Sequence, residues 1–495
     1  MAQFGFCAGT YTSQSVNADC QLCMGWYPES DESGSGKSAV VLYPTPGTRP
    51  FAAFSGPSIR GQWSINGREF AISSTSLYEV FSDGTTRNLG TVADDGSPVS
   101  MTSSPQQMLI ASVGQCYVLD LLSNVLTPVP VTNFNQLISQ VEYCDGFFIA
   151  LGANSQQVYA SAPLDATTWP GSSTAIVSVF SDNIIAMRVD HRQLWLFGRK
   201  ASVVYYDSGN TPFPFDVVPG GFVEQGIIAM NSTIKLDNSV FWVGGDERGN
   251  LMAWRASGYT PTRVSNHAVE NAWQNFSTAV DARAYSYQDR GHSFWVIYFP
   301  TANQTWVYDV ATGSWHNRGF LNSNGTIDAH HSQNHSFIFG KHLVGDWNSG
   351  RIYDMSIAYY NDLDGFPIKR IRRAPHISRE NEWIFHQSLQ VDLESGLGPE
   401  PPLLDGQGNP VAPQVMIRWS DDGGHVWSNE HDVGAGQAGQ YKFRAILRRL
   451  GRSRDRVYEI STTDAIPWRL VNAYLKADAG YKPQERLATQ FRKVS

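Results

Sequence analysis

Between Tyr78 and Tyr353 one unit recurs along the chain: an apolar run, a short gap, a strand carrying Tyr or Trp, and a turn. The aromatic falls at Tyr78, Tyr117, Tyr159, Tyr205, Trp254, Tyr308 and Tyr353, at spacings of 39, 42, 46, 49, 54 and 45 residues. The runs ahead of it include QMLIASVG, GFFIALG, LWLFG, VFWVGG, FWVIYF and FIFG. In TWVYDVATGSW two strand segments flank a Gly-containing turn. Hairpins recurring every 40–50 residues or so are the signature of β-propeller blades. One small sheet cannot bury both of its faces alone, so such sheets stack radially and bury aromatics between neighbours. Seven units are countable, and because their edges are loose the expectation is six to eight blades. The competing reading, a β-sandwich with scattered hairpins, does not explain why the spacing persists.

Composition points the same way. Aromatics make up 12% of the chain, Gly and Pro number 44 and 25, and only 17% is charged, below the roughly 25% of ordinary domains. That mixture suits short strands joined by tight turns, an all-β protein. At 495 residues the chain also exceeds what one core serves well. The propeller is expected over 46–373. Residues 1–45 do not fit the repeat and are expected as strands packing with the C-terminal part. Beyond Arg373-Ala374-Pro375, period-two alternation in VMIRWS and RVYEIS predicts a second antiparallel β-domain, a platform over 374–480, followed by a tail at 481–495.

The net charge of −8 argues against a protein built to grip nucleic acid, though not against one that lets DNA slide past. No apolar run approaches the length of a membrane-spanning helix, and the start, MAQFGFCAGTYTSQ, lacks a basic and an apolar signal region. Cys7, Cys20, Cys23, Cys116 and Cys144 are scattered and odd in number, as expected of reduced thiols in a cytoplasm.

The chemical motifs are incomplete. GSGKS at 34–38 lacks the first Gly of a phosphate-binding loop, and no helical pattern follows it, so a loop between two strands is expected. Cys20 and Cys23 have no second ligand pair for zinc. His330, His331 and His335 with Asp328 could chelate a metal, but the Ser/Asn-rich surroundings favour an exposed loop. No cofactor is expected. Ser420, Asp422, Gly424 and Trp427 fit S-x-D-x-G-x-x-W, the Asp box, in which Ser and Asp fold a tight hairpin and the Trp packs beneath it. Two basic stretches stand out. One holds Lys369, Arg370, Arg372, Arg373 and Arg379; the other holds Lys442, Arg444, Arg448, Arg449, Arg452, Arg454 and Arg456, opposed only by Asp455. A solvated strand face competes with a docking surface for a neighbouring protein or a rim facing DNA. Arginine predominates, which suits bidentate protein contacts and favours docking between subunits or to an adaptor.

Several segments, in order, resemble one family: the packaged-DNA stabilisation proteins of short-tailed phages, also called tail hub or nozzle proteins. CMGWYPE followed by LYPTPG is similar to its opening; NDLDGFPIKRIRRAPHI, MIRWSDDGGHVWS, RAILRRLGRSRDRVYEI and NAYLKA are similar to its later part. The resemblance implies a non-enzymatic virion protein of the phage tail, made in the host cytoplasm. It implies a homohexameric ring under the portal and its adaptor, in contact with a tail fibre or tailspike protein. It also implies a channel through which genomic double-stranded DNA passes without sequence-specific contact. The alternative is a glycan- or receptor-binding propeller, with a glycoside hydrolase less supported by the motifs.

Overall fold

Each recurring aromatic sits on the third strand of a four-stranded antiparallel sheet, and each faces the sheet before it. The computed structural model describes residues 2–3, 5–179, 181–246, 248–363, 365–398, 402 and 404–479, so the expected tail at 481–495 lies outside the described residues. Within them, seven such sheets form the blades of a propeller. Six are consecutive in sequence, over 59–91, 100–128, 138–176, 184–223, 234–263 and 283–321. The seventh takes three strands from 332–356 and its outermost strand, Gly47–Ala53, from the N-terminal side of the ring. Pro50, which has no N–H to give a ladder, sits on this outer strand at a register shift.

Seven apolar clusters lie between successive blades. Tyr117 packs with Phe70 and Ile72, Tyr159 with Leu109 and Val118, Tyr205 with Ile149 and Leu151, and Tyr353 with Phe294 and Val296. Tyr308 and Trp315 join Phe241 between the fifth and sixth blades. The apolar runs of the sequence are mostly second strands, covered on both faces by neighbouring blades. FIFG differs, because it closes the first strand of the seventh blade, Ser332–Ile338. The longest spacing, 54 residues, accommodates a helix, His267–Gln274, whose N-cap Asn266 accepts from the Val269 N–H and whose Trp273 is fully buried against Phe299.

The second layer is a sandwich of two sheets built from both ends of the chain. One sheet orders Cys20–Met24, Arg370–Arg373, Asp455–Thr462, Gln414–Ser420 and His431–Gly434. The other orders Trp26–Ser30, Val40–Pro44, Leu470–Ala479, Ile384–Leu393 and Ala445–Arg448. Trp26, Leu42, Leu389, Ile417, Tyr458, Ile460, Trp468 and Leu470 fill the space between them. The first sheet does not stop at the sandwich. Cys20–Met24 meets Ser314–Leu321, the outer strand of the sixth blade, in parallel, so one hydrogen-bonded sheet runs from propeller into sandwich. At this junction Gly25 has φ +67, and a Cβ there would lie 2.9 Å from Arg370 Cγ.

The seam between seventh and first blades is partly polar. The Ser336 hydroxyl donates to Glu69 Oε1 at 2.7 Å, and Gln62 Nε2 donates to Ser336 Oγ at 2.9 Å. Burial pushes the Glu69 carboxyl up from 4.5 to about 8, and its second oxygen has no partner among the described residues. Because the folded-state value is raised, this contribution to stability is complete below about pH 4.5 and is lost as pH rises through about 8. Glu69→Gln should therefore melt higher than the parent at pH 8.5 and show a flatter fall in Tm between pH 5 and 9. Parallel Tm-versus-pH curves for the two proteins check this.

Candidate docking surface

The two basic stretches expected to form one docking surface have different fates. Arg370 and Arg372 lie on a strand in the middle of the sandwich sheet and are fully buried. Arg372 donates to the carbonyls of Phe6 at 2.5 Å and Gly9 at 3.1 Å and to Gln21 Oε1 at 2.6 Å, which ties the N-terminal segment to the strand. Burial pushes the Arg370 guanidinium down to about 10, and its nitrogens have no hydrogen-bond partner among the described residues. Lys369 lies 3.8 Å from the Glu430 carboxylate. Arg456 is likewise buried and forks onto Asp421 at 2.5 and 2.8 Å. The expectation that these residues meet a partner is thus corrected for Arg370, Arg372 and Arg456. Alternation along a strand turns every second residue inward, and here those positions are arginine.

Arg373 is engaged internally too. The buried carboxylate of Glu459 binds Arg373 Nη2 at 2.8 Å and Arg418 Nη2 at 2.5 Å. Both guanidiniums lie over the Trp427 ring, 4.7 and 4.9 Å from its centroid. Trp427 belongs to the hairpin of the Asp box. Ser420 Oγ donates to Asp422 Oδ1 at 2.6 Å and accepts from the Gly424 N–H at 2.8 Å. The Ser420 hydroxyl, followed by the N–H groups of Val426 and His425, donates to Asp422 Oδ1 and holds its carboxyl below the usual carboxylate range. Gly424 has φ +100, a region open to glycine. The ring packs against the hairpin as the pattern expects, its Nε1 donating to the Gly424 carbonyl at 3.1 Å, and is half-buried under the two arginines.

What remains exposed is an edge of the other sheet. Arg444, Arg448, Arg449, Arg452 and Arg454 are exposed, and none makes an ion pair among the described residues. Arg452 pairs in the ladder with Phe385, and Arg448 with Ser388. Trp383 and Phe385, 41% and 43% exposed, stand beside them, with Arg452 and Arg454 at 4.5 and 5.0 Å from the Trp383 ring centroid. Sequence reading missed these two aromatics. The signal was the period-two pattern in EWIFHQSLQ, which sets Phe385 and Gln387 on the face opposite Ile384 and His386. Unpaired arginines around exposed aromatics are the composition of a protein-binding hot spot.

The other motifs carry no site. The GSGKS segment is the loop between Trp26–Ser30 and Val40–Pro44, where Asp31 Oδ2 accepts from the Gly36 N–H at 2.6 Å. Cys20 and Cys23 are free, and burial pushes their thiols up to about 11 and 12. The histidines expected on an exposed loop instead flank and enter the innermost strand of the seventh blade. His330 bonds Ser332 at 2.6 Å, His331 bonds Asp346 at 3.1 Å and His335 bonds His342 at 3.0 Å, so each has a separate partner. Among the described residues no group of three or more metal-ligating side chains converges.

Both layers of the molecule have counterparts among known protein families. A family model described as Bacteriophage P22 Gp10, beta-propeller, matches residues 3–359, and one described as Bacteriophage P22 Gp10, beta-sandwich, matches residues 369–478. No curated protein matches. Similar solved structures include the computationally designed Ika8 protein, at 11% identity and TM-score 0.37 over 70% of this chain and 99% of that one. The N-terminal domain of Nup159 aligns at 10% identity and TM-score 0.38 over 68% of this chain and 98% of that one.

Trp427→Ala removes the surface on which Arg373 and Arg418 stack and leaves their pairing with Glu459 in place. A destabilisation of about 2 kcal/mol with the sandwich still folded is expected. Urea titration followed by intrinsic fluorescence measures it; an unchanged midpoint would show that the stack contributes nothing.

Proposed function

The chain belongs to the bacteriophage P22 Gp10 family, matched across both of its layers, and on that premise we propose that it is a tail hub, or nozzle, subunit that closes the portal vertex. It is a phage structural protein, and its place is the virion. In the proposed assembly six copies form a ring beneath the portal adaptor, retain the packaged DNA, and serve as the conduit when it is ejected. A tail fibre or tailspike protein attaches to the same hub, and the subunit is made in the host cytoplasm before assembly. It carries out no catalysis. Its polar clusters support that reading, because the Asp box, Arg372, Arg456 and the three histidines of the seventh blade bind partners inside the fold.

The observation that carries the proposal is the edge bearing Arg444, Arg448, Arg449, Arg452 and Arg454 around Trp383 and Phe385. In a chain of net charge −8, these guanidiniums have no internal counter-charge among the described residues. Exposed arginine–carboxylate pairs contribute little, but they contribute more when a partner excludes water from them. The aromatics supply the apolar contact that does so. The acidic balance elsewhere suits a conduit, since like charge keeps phosphates from adhering.

Reversing three charges together, as Arg448→Glu, Arg449→Glu and Arg452→Glu, should leave the isolated subunit folded while blocking tail assembly, so that filled heads leak DNA. Circular dichroism of the subunit and nuclease sensitivity of the particles read the two halves of this outcome. Intact assembly with ejection altered in a salt-dependent way would move the surface to the DNA side. Stable, DNA-filled, infectious particles would overturn the docking surface altogether.

A further inference from the structure

The first strands of the blades surround the propeller axis, and the space they enclose is a polar cavity of about 350 Å3. Its wall carries four cations, Arg60, Arg188, Lys235 and Arg283, against one carboxylate, Glu142. Three of the cations are compensated. Arg60 lies 3.2 Å from Asp94 and donates to the carbonyls of Ser74, Ala93 and Ser97; Arg188 meets Glu142 at 3.1 Å; Lys235 meets Asp190 at 3.0 Å. Arg283 is not. Its Nη1 donates to the neutral Gln333 amide, and it has no carboxylate at ion-pair distance among the described residues. Burial lowers the pKa of its guanidinium, and Asp281, which lies beyond ion-pair distance, offsets this only in part.

The cavity is not sealed. A second depression of about 510 Å3 shares Lys235, Ser286 and His335 with it and lies between the fifth, sixth and seventh blades. Lys235 thus stands where the two depressions adjoin. A concave site lined by one sign of charge concentrates counter-ions of the other sign. A guanidinium with donors still unspent prefers an oxyanion that can take two parallel hydrogen bonds.

We propose that the axial cavity of the propeller binds a small oxyanion, a single carboxylate or phosphate group, with Arg283 as its anchor and Lys235 at its entrance. The anion supplies the direct ion-pair partner that Arg283 lacks among the described residues. This site is independent of the arginine edge on the sandwich, so success or failure of the docking surface leaves it untouched.

The test uses the full chain. Isothermal titration with inorganic phosphate and, separately, with acetate is run in chloride buffers of matched ionic strength, with melting curves recorded in each. Saturable binding of one or both anions, with a rise in Tm beyond that in chloride, is expected; the arm that saturates identifies the phosphate or carboxylate source. Arg283→Gln should weaken binding at least tenfold while melting in chloride no lower than the parent, because a half-buried charge without a direct ion pair has been removed. Should that variant fail to fold, Lys235→Gln, whose parent side chain is 55% exposed, gives the second reading as a several-fold loss. Absence of saturable binding by either anion, or unchanged binding in a folded Arg283→Gln, or in Lys235→Gln where that variant stands in for it, would overturn the proposal.

Discussion

Seven sheets set around an axis leave one seam that chain continuity does not close, and that seam rests on pairing between Gly47–Ala53 and Arg351–Ser356. The two strands are far apart in sequence, so their ladder must offset the entropy of closing a very long loop. The effects of this pairing reach the rest of the molecule. Because the outer strand of the last blade comes from the N-terminal side, the residues before it emerge beside the sixth and seventh blades, where they are woven into both sheets of the sandwich. Arg372 reinforces that weave by binding backbone carbonyls of the N-terminal segment.

Legibility of the fold in the sequence depends on what each strand faces. Second strands, covered by blades on both sides, read as apolar runs such as GFFIALG and FWVIYF, and the third-strand aromatics mark the contact with the preceding blade. First strands face a polar axial space, so Ser332–Ile338, with its Ser, Gln, Asn and His, reads as a loop although it is innermost in its blade. The Asp box was readable because its bonds are local: Ser420, Asp422 and Gly424 are within a few residues of one another. That Trp427 sits under Arg373 and Arg418 was not readable, since those residues converge only through strand pairing with Asp455–Thr462.

The basic stretches show the same division. Composition identified an excess of arginine but not its direction. On Arg370–Arg373 and Asp455–Thr462, central strands of a sandwich, inward positions hold buried guanidiniums, of which Arg372 and Arg456 serve as internal cross-links. On the edge strand Ala445–Arg448 and the segment after it, the same residue type faces water. Position within the sheet, which depends on partners remote in sequence, separates the two outcomes. Trp383 and Phe385 follow the same rule: alternation along Ile384–Leu393 separates two faces, but which of them the sandwich fills depends on partners remote in sequence.

The origin of the outer strand of the seventh blade also governs how the protein is born. Gly47–Ala53 leaves the ribosome long before Arg351–Ser356 exists, and Trp26–Ser30 long before Leu470–Ala479. The early strands must wait with unpaired edges while six blades form one after another, each against its predecessor. Neither the ring nor the sandwich can complete before the propeller has been translated: the ring closes once Arg351–Ser356 has emerged, and the sandwich later, once Leu470–Ala479 has. A nascent chain arrested anywhere before residue 356 would therefore hold an open arc of blades with two sticky ends, whereas the finished chain has none at that seam.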